Sequence, residues 1–118
     1  MATPNIFARG SIVLTQFPYT DLSGSATRPA LVVASRRIGN DIVVVGISST
    51  MRGALAPTDC LIDLAHPEFP LTGLRVASVI RAHKLAAIEY SLIVRRLGEI
   101  GPQLQAQVDR QLRQVLGL

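Results

Sequence analysis

Two short runs of β-branched residues, separated by a turn, constrain the fold of this chain more than any other feature. The runs are PALVVAS (residues 29–35) and DIVVVGIS (residues 41–48), and the turn signal is Gly39-Asn40-Asp41. Val and Ile favour extended backbone, and a turn of this composition joins neighbouring antiparallel strands. Both runs are almost wholly apolar, which is typical of strands that are covered on both faces. We therefore predict a hairpin near the middle of a closed sheet.

The other segments add more strands and one helix. Strand patterns occur at residues 10–16, 59–64, 78–88 and 92–100, and residues 66–73 predict an irregular segment because they contain two prolines and a glycine. After Pro102, apolar residues recur at helical spacing as far as Leu116, and Gly117 then predicts the helix end. No helical pattern separates the strands, which argues against a parallel α/β sheet. The pattern indicates a mainly β fold, a small β-barrel with a C-terminal amphipathic helix.

Composition fits one ordered domain over residues 1–118, because 48% of the 118 residues are hydrophobic. The longest apolar runs are far too short to span a bilayer, and the N-terminal segment lacks the pattern of a signal peptide. A single cysteine, Cys60, cannot form an internal disulfide, and its alternating apolar neighbours predict a buried packing residue. We therefore expect a cytoplasmic protein with no membrane partner.

The charge of the chain favours phosphate as a ligand only mildly. The formal net charge is +4, and all of the 12 basic residues except Lys84 are arginine, whose planar fork of donors suits phosphate oxygens. The 2 Tyr and 3 Phe, with no Trp, are too few for a wide base-stacking platform. The 2 His and 1 Cys have no ligand spacing, so no metal site is predicted.

Polar loops precede and follow the predicted hairpin. Residues 18–27 are rich in Ser, Thr and Gly and lead directly to Arg28, which stands before Pro29, and the second strand of the hairpin ends in the hydroxyl cluster at residues 48–50. An arginine held at the edge of a sheet, beside a polar loop, suits an exposed phosphate-binding corner. These features predict a small barrel that acts on a phosphodiester.

The order of these segments resembles the MazF/PemK-like toxins of bacterial type II toxin–antitoxin systems. The resemblance rests on RGSIVLTQFPYTDLSGSATRPALVVAS, then VVVGISS, SVIRAHKLAAI, IVRRLGEIG and a helix ending in QVLGL, and it covers essentially the whole chain. It implies an SH3-like barrel, a homodimer, and cleavage of single-stranded RNA at short sequences without a metal or other cofactor. It also implies an antitoxin whose flexible tail covers the substrate groove, with DNA binding through the toxin–antitoxin complex.

The resemblance also assigns candidate catalytic residues. The family's arginine before a proline at the head of the second strand matches Arg28, and its hydroxyl partner at the end of the third strand matches Ser48, or Ser49 if the register differs by one. An Arg-x-Asp pair on a later strand matches Arg81 and, in place of the carboxylate, His83. Strand alternation predicts that these last two side chains share a face.

Two polar loops supply the candidate RNA-binding residues. These are Ser23, Ser25 and Thr27 before the second strand and Ser49, Thr50 and Arg52 after the third. Many relatives carry an acid in the first loop, where this chain has Ser23-Gly24-Ser25-Ala26. The missing acid and the substitution at His83 leave open which group is the general base and which the general acid.

In metal-free cleavage of RNA, the 2′-hydroxyl attacks the adjacent phosphorus and leaves a 2′,3′-cyclic phosphate and a 5′-hydroxyl. Arg28 is predicted to stabilise charge on the phosphate oxygens and Ser48 to hydrogen-bond them, while the imidazole of His83 can transfer protons near neutral pH. Two alternatives stay open. One is a non-catalytic toxin of the same fold that poisons a topoisomerase, and the other is a degenerate member that only binds RNA or an antitoxin.

Overall fold

The computed structural model of the protein describes residues 7–16, 27–34, 36–50 and 55–118. It contains six strands and one α-helix in these ranges: β1 (Ser11–Thr15), β2 (Arg28–Val32), β3 (Asp41–Ser48), β4 (Asp59–Ile62), β5 (Ser78–Glu89), β6 (Ile93–Glu99) and α1 (Pro102–Leu116). Each predicted strand and the C-terminal helix is present. The segment predicted to be irregular contains a short 3₁₀ turn at Phe69–Leu71, and a second one, Tyr90–Leu92, joins β5 to β6.

The strands form one antiparallel sheet in the order β4-β5-β3-β2-β1-β6. The fold is mainly β with a C-terminal helix, as predicted. Among the described residues β4 and β6 do not pair with each other, so the backbone ladder is open rather than closed into a complete barrel. The predicted β2–β3 hairpin lies in the interior of the sheet. Arg28 therefore stands at the end of an interior strand, and the expectation that it lies on a sheet edge is wrong.

Both faces of the sheet are covered, which explains the nearly continuous apolar sequence of β2 and β3. On one face, Leu31 and Val45 pack with Leu104 and Val108 of α1 in a buried cluster. On the other face, Val32 and Val44 belong to a second buried cluster. Alternate residues of the same strands thus supply two separate cores, as a pleated strand requires. The sheet is consequently anchored from both sides, which gives the strand ends fixed positions.

A distant carboxylate caps the helix. Glu68, only 6% exposed, accepts hydrogen bonds from the main-chain N–H of Gln103 at 2.8 Å and of Leu104 at 2.9 Å. N–H groups in the first turn of a helix have no partner within the helix itself. A negative charge at this position also interacts favourably with the positive end of the helix dipole. The residue before the helix is Gly101, which has no side chain that could provide a cap. Glu68 therefore ties the segment before β5 to the start of α1.

The same segment lies directly against β6. A β-carbon at Gly98 would meet the main chain of Leu71 and Thr72, and Gly73, at a φ of +71°, lies equally close to the main chain of Leu97. Only glycine permits backbones to approach this closely. This contact fixes the path of residues 74–76, which follow it.

Cys60 is fully buried in β4, as predicted for a packing residue. Burial, with a smaller contribution from the charge of Glu68, raises the pKa of its thiol to about 11. Within the described residues, no helix has the length and apolar character needed to cross a membrane.

Candidate functional site

A cleft of about 700 Å³ opens where three strand ends meet. Arg28 begins β2, Ser48 ends β3, and Ser78 begins β5. The antiparallel register pairs Ala30 with Gly46, and this brings the start of β2 beside the end of β3. On the other side of β3, Gly46 pairs with Arg81. The ladder thus places Arg28 and Arg81 on opposite sides of the end of β3.

The walls of the cleft are cationic and rich in hydroxyl groups. Cations come from Arg28, Arg75, Arg81 and Lys84, hydroxyls from Thr27, Ser48, Ser49, Thr50 and Ser78, and the remaining walls from Pro29, Gly46, Ile47, Leu74 and Val76. No acidic side chain is among these lining residues of the described chain. Such a surface attracts an anion, and arginine can donate two parallel hydrogen bonds to phosphate oxygens.

Arg28 is exposed and lines the cleft, with its guanidinium donating to the carbonyl of Thr27 at 3.2 Å. Ser48 is half-buried, and its Oγ accepts a hydrogen bond from the main-chain N–H of Thr50 at 3.1 Å. Because that oxygen already accepts, the hydroxyl proton is left to serve as a donor. Arg28 and Ser48 therefore present hydrogen-bond donors at the same cleft.

Arg81 is held on the cleft wall by a carboxylate that the sequence did not single out. One terminal nitrogen of Arg81 donates to Asp59 Oδ2 at 3.0 Å, and the other donates to the carbonyl of Thr50 at 3.0 Å. The side chain of Asp59 is only 2% exposed, and that of Arg81 is 20% exposed. The acid that the Arg-x-His sequence lacks on β5 is thus supplied by β4, whose register sets Asp59 opposite Arg81.

His83 lies beside the same carboxylate but does not line the cleft. Its Nδ1 is 3.8 Å from Asp59 Oδ1, too far for a hydrogen bond, and its side chain is 47% exposed. Asp59 Oδ1 is buried and has no hydrogen-bond partner among the described residues. Arg81 and His83 therefore approach one carboxylate through its two different oxygens.

The β3–β5 ladder is broken beside these residues. Val45 pairs with Leu85, but the next residue, Gly46, pairs with Arg81, so residues 82–84 have no partner on β3. A bulge of this kind redirects side chains and breaks simple alternation. On the other side of β5 the pairing with β4 is regular, and Arg81 and His83 both approach Asp59, in agreement with the prediction that they share a face. The bulge instead explains why Lys84 lines the cleft.

Three charged residues of the site were missed, namely Asp59, Arg75 and Lys84, and so was the cleft hydroxyl of Ser78. Asp59 carried a weak signal, because an acid at the start of an apolar strand must find a partner if the strand is buried. Lys84 depends on the bulge, and Arg75 on the path of the segment before β5, and neither had a sequence signal. Of the predicted RNA-binding residues, Thr27, Ser49 and Thr50 line the cleft. The other three, Ser23, Ser25 and Arg52, lie outside the described residues.

Within the described part of the chain, no group of three or more His, Cys, Asp or Glu side chains comes together in a way that could hold a metal ion.

Arg37, one of the arginines in the hairpin turn, has its Cζ 4.1 Å from the centre of the Tyr90 ring, and its Nε donates to the carbonyl of Gly39. Arg37 therefore has a structural environment away from the cleft.

Residues 8–116 match the sequence model of the family described as PemK-like, MazF-like toxin of type II toxin–antitoxin system. The chain belongs to this toxin family. None of the curated proteins matches it. The match covers nearly the whole sequence and includes every strand and the helix, in agreement with the resemblance found from the sequence.

Several solved structures have the same fold. One is an endoribonuclease in complex with its cognate antitoxin from a mycobacterial species, with 23% identity over 94% of this chain and 95% of that chain, and a TM-score of 0.71. Another is MazF from Deinococcus radiodurans, with 18% identity over 99% and 100% of the two chains and a TM-score of 0.69. A MazE–MazF structure from the same organism has 18% identity, 99% coverage of both chains and a TM-score of 0.67. At these identities, the likeness establishes the fold of this PemK/MazF-like chain.

Proposed function

We propose that this chain is the toxin of a type II toxin–antitoxin system and a metal-independent endoribonuclease that cleaves single-stranded RNA at specific sequences. The observation that supports this most is the cleft that brings Arg28, Ser48 and Arg81 together at one end of the sheet. Its four cations, with no acid among the described lining residues, suit a polyanion. Family membership and the endoribonuclease among the similar structures support the reaction class.

In the proposed mechanism, the scissile phosphate lies between Arg28 and Ser48. The substrate's 2′-hydroxyl attacks phosphorus, the bond to the 5′-oxygen breaks, and a 2′,3′-cyclic phosphate and a 5′-hydroxyl form. Arg28 stabilises the charge that develops on the phosphate oxygens, and the Ser48 hydroxyl donates to one of them. Arg81 binds a neighbouring phosphate oxygen with a guanidinium that is already fixed in orientation.

Proton transfer is assigned to His83, an imidazole that can act as acid or base. It stands in the sequence between two cleft-lining residues, Arg81 and Lys84, so the assignment requires bound RNA to extend past Arg81. The assignment predicts that His83→Ala lowers the cleavage rate more than it lowers RNA affinity. A loss of affinity alone would make His83 a binding residue.

The assembly follows from the same proposal. A cognate antitoxin is the proposed protein partner, supported by the toxin–antitoxin complexes among the similar structures. A homodimer of single-domain chains, a cytoplasmic location and DNA binding through the antitoxin complex complete the proposal. The hydroxyl-bearing loops on either side of Arg28 and Ser48 are proposed to select the RNA sequence, because single-stranded bases are read by such loops.

The deciding experiment measures cleavage of single-stranded RNA by the purified protein in EDTA, followed by identification of the fragment ends. We expect 2′,3′-cyclic phosphate and 5′-hydroxyl ends, and a loss of about 10²–10³ in rate for Arg28→Ala. Arg110→Ala is the matched control, because Arg110 is exposed on α1 and is not among the cleft-lining residues. Intact RNA together with inhibited DNA supercoiling would support a topoisomerase poison instead. Intact but bound RNA would indicate a degenerate member of the family.

A further inference from the structure

One ion pair holds both described ends of the loop between β3 and β4. Arg81 donates to the carbonyl of Thr50 at 3.0 Å, at the beginning of this loop. Asp59 Oδ2 accepts from the main-chain N–H of Ala56 at 2.8 Å, at its end. The same carboxylate oxygen accepts from Arg81 at 3.0 Å. A continuous path of hydrogen bonds therefore runs from Thr50 through the ion pair to Ala56.

The Asp59 side of the ion pair is buried, so the carboxylate holds Arg81 in one orientation. With only 2% of its side chain exposed, the Asp59 carboxylate cannot be satisfied by bulk water. A buried charge that loses its partner is strongly unfavourable, so Arg81 is the counter-ion that this carboxylate requires. The main chain reinforces the pairing, because the N–H of Ala82 donates to the carbonyl of Thr58 at 3.2 Å.

The two partners differ in their access to the cleft. Arg81 and Thr50 line it, whereas Asp59 does not. We propose that Asp59 is a positioning residue, which acts through Arg81 to fix the orientation of its guanidinium and the position of the Thr50 wall. As far as RNA cleavage is concerned, this inference rests on the proposed function.

This assignment divides the five N–H donors of the guanidinium between the protein and the substrate. One donor is occupied by Asp59 and one by the carbonyl of Thr50. A guanidinium restrained at both terminal nitrogens meets a phosphate without first losing rotational freedom, which is how a preorganised site lowers the cost of binding charge. Removal of the carboxylate releases the side chain and also the described ends of the loop.

The test compares Asp59→Ala with Asp59→Asn. The asparagine Oδ1 can replace Asp59 Oδ2 and accept from both Arg81 and Ala56, whereas alanine can accept from neither. Asp63→Asn is the matched control, since Asp63 is exposed and accepts from the neighbouring main-chain N–H of Ala65. We expect kcat/KM for a single-stranded RNA to fall about 10–100-fold in Asp59→Ala, with most of it recovered in Asp59→Asn.

A double-variant comparison separates positioning from an independent role. Because Asp59 acts through Arg81, Asp59→Ala combined with Arg81→Ala should cleave no more slowly than Arg81→Ala alone. If the two losses multiply, Asp59 contributes independently and the inference is overturned. An Asp59→Ala protein that cleaves RNA at the wild-type rate overturns it equally.

A measurement on the free protein keeps the inference separate from the proposed function. Side-chain NMR of 15N-arginine protein, with Arg81 assigned by Arg81→Lys, should show slow guanidinium rotation in the wild type and fast rotation in Asp59→Ala. If Asp59→Ala does not fold, amide exchange in Arg81→Ala takes its place, and Thr50 should exchange faster while the β2–β3 amides do not change. Unchanged rotation or unchanged exchange overturns the inference, whether or not the protein cleaves RNA. Failure of wild-type cleavage alone overturns only the proposed function.

Discussion

Two buried carboxylates, Asp59 beside the cleft and Glu68 beside the helix, have nearly the same exposure and very different surroundings. Counted over the whole residue, main chain included, Asp59 is 8% exposed and Glu68 is 6% exposed. Both oxygens of Glu68 accept main-chain N–H groups of α1. Asp59 binds an arginine that lines the cleft, and its Oδ1 is left without a partner among the described residues. Burial alone therefore does not distinguish a structural acid from one that serves a site.

The hydrogen-bond partners of each carboxylate distinguish the structural acid from the acid that serves the site. Main-chain N–H groups of a helix cannot move without unfolding the helix, so Glu68 contributes to stability. A guanidinium on a cleft wall can change its contacts when a ligand arrives, so Asp59 contributes to the arrangement of the site. The loss of stability on removing each carboxylate should therefore differ. Without Asp59, water can replace the lost partner of Arg81, because the Arg81 side chain is 20% exposed. Without Glu68, water cannot reach the N–H of Leu104 at the helix start, because Leu104 is fully buried.

The largest expected effect on stability is at Glu68. Glu68→Ala removes the acceptor of two helix N–H groups and the favourable charge at the helix N-terminus. We expect a loss of about 2–4 kcal/mol in the free energy of unfolding, and a Tm lower by roughly 10 °C or more. Thermal and urea unfolding followed by circular dichroism measure both quantities. Asp59→Ala should cost less than half as much, and an equal cost would remove the distinction between the two acids.

Gly101 provides a second test of the helix cap. A β-carbon at this position would lie 2.6 Å from Glu68 Oε2, so Gly101→Ala should displace the carboxylate from the helix and destabilise the protein by about 1–3 kcal/mol. In combination with Glu68→Ala the methyl group gains space, so the double variant should be no less stable than Glu68→Ala. Urea unfolding of the three variants gives the coupling energy. Additive losses would show that the clash is not with Glu68.

Cys60, which follows Asp59 in β4, gives a test that depends on pH, because burial and the charge of Glu68 both shift the pKa of its thiol. Burial, and to a smaller extent Glu68, raises the pKa of its thiol from an ordinary value of 9.0 to about 11. The unfolded chain therefore releases this proton at a lower pH than the folded chain, and stability falls as pH rises from about 9 to 11. The stability difference between the wild type and Cys60→Ala should shrink over this range, by at most about 2–3 kcal/mol. A constant difference would mean that the folded thiol ionises normally.

The sequence predicted the fold well where the signal was local. The β2–β3 hairpin, the separate strands β5 and β6, and α1 each follow from β-branched content, turn residues or helical spacing within one segment. Although β5 and β6 are consecutive in the chain, β5 lies between β4 and β3 whereas β6 pairs with β1, and the local patterns did not specify this. The open edge between β4 and β6 was not predictable, because strand patterns do not specify whether a sheet closes. The cap of α1 was also missed, since Glu68 lies 35 residues before its partner Gln103 and no local pattern links them.

In the site, too, local sequence signals were predictive and contacts between distant segments were not. Arg28 and Ser48 were predicted to be at strand ends, and the antiparallel register then brings them to one cleft, which they line. The position of Lys84 depends on the break in the ladder after Val45, which strand alternation could not anticipate. The relation of His83 to Asp59 depends on the pairing of β4 with β5, which no local pattern specifies. The functional roles of these residues stay predictions until the variants are measured.

The smallest effect expected is at Gln111, the side chain that joins the two regions. Its Nε2 donates to the main-chain carbonyl of Asp59 at 2.9 Å, so α1 contacts the strand that carries the site's carboxylate, while its buried Oε1 has no partner among the described residues. Gln111→Met removes two hydrogen bonds, the one to Asp59 and a longer one of 3.4 Å to the carbonyl of Pro57, together with one unsatisfied oxygen, and the free energy of unfolding should change by less than about 1 kcal/mol. Urea unfolding and RNA cleavage measured on the same preparation test this. If cleavage falls as far as in Asp59→Ala while stability does not change, the helix and the cleft are one functional unit, and the separation of the two buried acids into stability and function would not hold.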